Sequence, residues 1–220
     1  MDPYLRATPF FDFDNPTVSQ WTERTLANVS PDPVSQAKAL YLAARDEVSY
    51  NPYVFSSDPD TFRASHVLTS GESYCIPKAI LLGAAARQVG IPSRLGLADV
   101  KNHLSSPRLI EVLRSDIFRM HGYIELYLEG QWVKATPAFD HRLCQVMKVE
   151  PLEFDGRTDS VFQPYTADGK AHMEYIEDHG IYADLPYDFI MAGLRAAYSH
   201  LFEDEAAYRN AGGSLQQDLR

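Results

Sequence analysis

The stretch GESYCIPKAILLGAAARQVGIP, residues 71–92, constrains the fold more than any other part of the chain. Ile76, Ile80, Leu81, Ala84, Ala85 and Val89 recur at helical spacing, so the segment predicts a helix with a broad apolar face that must be buried. Pro77 is tolerated in a first turn, and Gly90 followed by Pro92 stops the helix. Cys75 therefore stands at or just before a helix N-terminus. Free backbone N–H groups and the positive end of the peptide dipoles favour a thiolate there, which predicts a lowered thiol pKa and donors for a developing oxyanion. An inert cysteine packed under the helix fits the same local residues.

Around this helix the pattern predicts an extended lead-in whose Phe10, Phe11 and Phe13 pack across the core. One helix begins near Pro16 and carries Val18, Trp21 and Leu26; a second follows the SPDP turn with Val34, Ala37, Leu40, Tyr41, Ala44 and Val48. Residues 49–71 are rich in turn formers and read as an irregular wall of a cleft. LGLADV reads as a short buried strand and PRLIEVLRSD as a charged connector. YIELYLEGQWVKAT alternates apolar and polar residues and turns at EGQ, predicting an antiparallel hairpin with His121 at the entrance of its first strand. Gly122 beside it leaves room for close approach of backbone or substrate. Asp140 follows the second strand and the TPAF turn, where its carboxylate could orient His121 or satisfy nearby backbone donors. Residues 151–185 read as turns and short extended pieces, followed by a helix near Pro186 with Phe189, Ile190, Leu194, Ala197 and Leu201 as its stripe.

With 220 residues and 45% hydrophobic content, one domain over residues 1–207 is expected, its 151–207 extension covering the core and shaping specificity, with a flexible tail over 208–220. A net charge of −10 argues against a nucleic-acid partner, which needs a basic patch. The N-terminal residues lack a signal-peptide pattern and no segment offers about 20 apolar residues, so a cytoplasmic protein without a membrane partner is expected. Cys75 and Cys144 are then reduced thiols, and Cys144, lacking the glycine-to-helix setting, reads as a packed one.

Two polar collections stand apart: Asp99, Asn102 and His103, and His172, Glu174, Asp178 and His179. Neither has tight zinc-ligand spacing, so they read as solvated loops, internal hydrogen bonding or cleft lining rather than a metal site. His103, in a loop after the strand that follows the cysteine helix, is a candidate for the cleft mouth.

The segments GESYCIPKAILLGAAARQVGIPSR and FRMHGYIELYLEGQWVKATPAFD resemble the transglutaminase-like superfamily, which shares the papain-like cysteine protease architecture; the resemblance is strong over residues 68–140. The full chain looks like a bacterial transglutaminase-like group with a C-terminal extension. The resemblance implies an α+β fold in which the nucleophile helix packs on an antiparallel sheet, with Cys75 as nucleophile and His121 as base. The family's aspartate directly before a proline is replaced here by Thr136 before Pro137. Either Asp140, slightly farther along, or Thr136 would then orient His121. The implied activity is cysteine-dependent acyl transfer from an amide, ester or thioester, as a hydrolase, protease or deamidase or as a transglutaminase-like transferase. Its substrate is a peptide, a protein or a small acyl compound, and the chemistry requires no cofactor. The alternative is a catalytically inactive protein-binding or regulatory module on the same scaffold, with a zinc enzyme a weaker rival.

Overall fold

The computed structural model describes residues 3–162, 169, 172–205, 208 and 213–219. Two N-terminal helices begin with the same device. Asn15 accepts the Thr17 N–H ahead of α1 (Pro16–Leu26), and Asp32 accepts the Ser35 N–H ahead of α2 (Pro33–Asp46). In each case a proline follows the cap, where its missing N–H costs nothing. A short parallel pair, β1 (Ser49–Tyr50) with β2 (Glu72–Ser73), leads the chain into the cysteine helix α4 (Cys75–Gln88). From Ile76 to Arg87 every residue of α4 is buried. The helix is enclosed by α1, α2 and α3 (Ala64–Ser70) on one side and by a sheet on the other.

That sheet is antiparallel throughout, in the order β5-β4-β3-β6, with β3 (Ser93–Asn102), β4 (Ile117–Leu128), β5 (Gln131–Ala135) and β6 (Met173–Tyr182). The predicted hairpin is β4–β5, turning through Glu129 and Gly130, both at positive φ. Helix α4 lies on β4 closely because residue 83 is glycine: a Cβ there would come within 2.6 Å of the Phe11 ring and 2.7 Å of the Ile124 side chain. The lead-in is pinned by Phe11, which is fully buried with the Arg87 guanidinium 3.9 Å over its ring. Arg87 in turn donates to the carbonyls of Arg6, Ser93 and Ala183.

Several expectations need correction. The charged connector is a helix, α5 (Pro107–Leu113): Ser106 accepts the Leu109 N–H, Pro107 opens the first turn, and Leu109 and Leu113 turn inward. Residues 49–71 contain α3, and β3 runs ten residues. His121 lies inside β4, which already begins at Ile117. Residues 141–147 form α6 (His141–Met147), and MEYIEDHGIY forms β6. β6 is an edge strand whose residues are largely exposed, so it carries no alternation to read. The helix near Pro186 is α7 (Tyr187–Ala197), followed by α8 (Ser199–Glu203). Part of the predicted tail is packed: in α9 (Leu215–Asp218) Leu215 is buried, and Asp218 accepts from Arg108 at 2.9 Å and from the Tyr53 hydroxyl at 2.5 Å. Residues 209–212 and 220 of that tail lie outside the described residues. Among the described residues no helix is long and apolar enough to cross a membrane.

Candidate active site

Tyr74, in extended backbone, delivers the chain to Cys75, the first residue of α4. The Lys78 N–H already donates to the Tyr74 carbonyl and Pro77 has no N–H, so the first turn offers the N–H groups of Cys75 and Ile76. Gly122 of β4 comes against this turn. A Cβ on it would lie 2.8 Å from the Ile76 Cα, so only glycine lets the strand approach the cysteine so closely. The N–H groups of Gly122, Ile76 and Cys75 itself draw the thiol pKa down, but burial pushes it up by more, to about 11. The expected lowering at the helix N-terminus is therefore corrected. The dipole and the donors are present, and desolvation of a thiolate in an apolar site outweighs them.

His121 lies opposite Ala98 of β3 and is buried. Burial pushes its pKa down to about 4, so the imidazole is neutral at pH 7. The Phe162 ring packs 5.9 Å away and the Tyr175 ring 6.5 Å away, and Nε2 has no hydrogen-bond partner among the described residues. The backbone just before it is strained. Met120 has φ 58, and its N–H donates to Asp99 Oδ1 at 3.0 Å. Arg119 donates to the other Asp99 oxygen at 2.5 Å, and the β3–β4 register shifts between Ala98 and Val100. A buried carboxylate thus holds the irregular turn of strand that presents His121.

Neither expected orienting group hydrogen-bonds to His121. Asp140 is the N-cap of α6: Oδ1 accepts the Leu143 N–H at 3.0 Å and Oδ2 accepts the Tyr50 N–H at 2.8 Å. With both oxygens engaged by backbone, its role here is to fasten β1 to the start of α6. The Thr136 hydroxyl is buried without a partner among the described residues, and the Thr136 carbonyl accepts from the Tyr41 hydroxyl. His103 stands 3.6 Å from Glu174 and does not line the cavity described below. Cys144 is packed, its thiol 4.0 Å from the Phe139 carbonyl, and burial pushes its pKa up to about 12.

Cys75 and His121 line one cavity of about 100 Å³. Its walls come from elements far apart in sequence: Val100 and Met120 of the sheet, Leu109 of α5, and Leu194, Leu201 and Leu215 of α7, α8 and α9. The carboxylates and imidazole of Asp99, Glu177 and His179 bring ligand atoms within 4.8 Å of one another. Asp99 there already accepts from the Arg119 guanidinium and the Met120 N–H, with His179 Nε2 at 2.8 Å. A metal cation would have to compete with that guanidinium for the same oxygens. Sequence reasoning missed Asp99 as a support of His121. The signal was an aspartate inside a run of buried strand residues, where a charge needs a partner.

The sequence profile of the transglutaminase-like superfamily matches residues 19–137. No curated protein matches the chain. Among solved structures, arylamine N-acetyltransferase from Salmonella typhimurium is similar, with a TM-score of 0.50 and 15% identity over 88% of this chain and 72% of that one. A candidate cysteine protease from Cytophaga hutchinsonii gives a TM-score of 0.49 and 16% identity over 82% of this chain. The chain spans about half of that protein, 53% of its length. The family match and the similarity to the acetyltransferase give this chain the papain-like, transglutaminase-like fold.

Proposed function

As the chain belongs to the transglutaminase-like superfamily, we propose that it is a cysteine-dependent acyl-transfer enzyme in which Cys75 is the nucleophile and His121 the base. The observation that carries this reading is that the thiol at the head of α4 and a neutral imidazole, its Nε2 without a partner among the described residues, open into the same cavity. The imidazole accepts the thiol proton as sulfur attacks the carbonyl carbon of an ester, thioester or amide. The N–H groups at the start of α4 receive the oxyanion. As the tetrahedral intermediate collapses, the bond to the leaving group breaks and His121 returns the proton to it. Water or another acceptor then attacks the thioester and gives a proton to His121; the C–S bond breaks and His121 returns that proton to the Cys75 sulfur. Water as acceptor makes the protein a hydrolase, and an amine or alcohol makes it a transferase.

The raised pKa of Cys75 favours a second reading, a binding module whose thiol is inert. Incubation with activated esters, followed by peptide mapping of acyl adducts, separates the two. Catalysis predicts a Cys75 thioester that is absent in Cys75→Ala and forms about 100-fold more slowly in His121→Ala. Labelling no faster than that of a free thiol, and indifferent to His121, contradicts it.

A further inference from the structure

We propose that the cavity beside Cys75 is an acyl pocket for an uncharged apolar acyl group, an inference that rests on Cys75 being the nucleophile. Glutamine side chains and peptides present amides and charges that need polar partners, and the walls offer few. Val100, Leu109, Met120, Leu194, Leu201 and Leu215 surround the space, each at most 8% exposed. Among the described residues Arg119 is the one charged side chain on the wall, and its charge is already matched by Asp99 at 2.5 Å. The Cys75 thiol and the His121 imidazole line the same space, and the carbonyl would sit against them. The apolar contributors from α7, α8 and α9 lie beyond residues 19–137, so this wall is added to the matched core by the C-terminal part of the chain.

Size sets the range. A dry, apolar cavity of ~150 Å³ takes up benzene. The space of about 100 Å³ here therefore suits an acyl chain of about four to six carbons. Cys75 sulfur forms the thioester, the bond to the leaving thiol breaks, and the thiol proton passes through His121 to that leaving thiol.

The test uses N-acetylcysteamine thioesters of acetic, butyric, hexanoic, decanoic and succinic acids with the full chain, reading thiol release and the Cys75 adduct mass. The value of kcat/KM is expected to rise about fourfold per methylene up to the hexanoyl ester. It should then fall, with the charged succinyl ester the poorest. Leu201→Trp should lower the hexanoyl-to-acetyl ratio by about tenfold or more. Leu109→Phe gives the same readout should Leu201→Trp not fold. Binding is measured separately on Cys75→Ala by calorimetry with hexanamide and with succinamic acid, where hexanamide should bind at least about tenfold more tightly.

A Cys75 adduct that forms at one rate for every chain length, or fastest with succinyl, overturns the pocket proposal and leaves the nucleophile standing. Failure of every ester to acylate Cys75 overturns the nucleophile, and the amides then judge the pocket alone. Preference for hexanamide upholds its apolar occupant, and equal or absent binding overturns it.

Discussion

A thiol with a pKa near 11 and an imidazole with a pKa near 4, lining one cavity, are both neutral at pH 7 rather than a thiolate and an imidazolium. In the proposed reaction, proton transfer then belongs to the attack itself. Alkylation of Cys75 by iodoacetamide should therefore rise about tenfold per pH unit from 7 toward 11 without a neutral plateau. A plateau between pH 5 and 8 in the rate profile would identify a preformed ion pair. The buried histidine also titrates folding. Its pKa falls from 6.5 in the unfolded chain to about 4, so between those values the unfolded chain binds a proton that the folded chain does not. Stability is lost as pH falls through that window, by about 3 kcal/mol from this residue. Urea midpoints of the wild type and His121→Asn should diverge below pH 6.5 by that amount. Asp140 behaves as a cap, so Asp140→Ala is expected to cost about 1–2 kcal/mol of stability. Turnover per folded molecule should stay within about threefold, against a loss of roughly 10⁴ for an acid that sets the histidine's tautomer. The place of Cys75 was readable because glycine and proline punctuate its helix. Its pKa was not, because the side chains that desolvate it come from helices and strands scattered along the chain. Asp140 was ambiguous for a local reason: an aspartate after a turn reads equally as a cap and as a triad acid.

Elements meet at Gly122. It shares β4 with His121 and leaves the gap into which the first turn of α4 fits, a role the sequence announced by placing glycine next to the histidine. Gly122→Ala would force β4 and α4 apart, since its Cβ would fall 2.8 Å from backbone. Overpacking of this kind costs about 1–3 kcal/mol, and acylation of Cys75 should slow with it; unchanged stability and rate would mean that the two elements are not held in contact. Lys78 anchors the same helix from the other side. Fully buried, it donates to the carbonyls of Arg45, at 2.8 Å, and Val48 at the end of α2, and burial pushes its pKa down to about 7. The helices α1, α2, α4 and α7 and the β4–β5 hairpin were legible from period and punctuation. β6 and α6 were not: one is an exposed edge strand of mixed polar residues, the other two turns of helix whose start depends on the Asp140 cap.

Across the whole molecule, Cys75 and His121, the proposed nucleophile and base, belong to the region that matches the superfamily, while Leu194, Leu201 and Leu215 of the C-terminal helices add to a cavity wall whose other residues come mostly from that same region. A local reading of sequence could find the first because cysteine and histidine each carry a signature in their own neighbourhood. It could not find the second, because Leu109, Leu201 and Leu215 come together only after the chain has closed on itself. The proposed activation of Cys75 by His121 is read out by rapid-quench measurement of acyl-thioester mass on the intact protein. His121→Ala should slow thioester formation at pH 7 about 100-fold or more. Alkylation of the same variant by iodoacetamide at pH 11, where the thiolate forms without help, should stay within about threefold of the wild type. Equal acylation rates at pH 7 in the two proteins would contradict it.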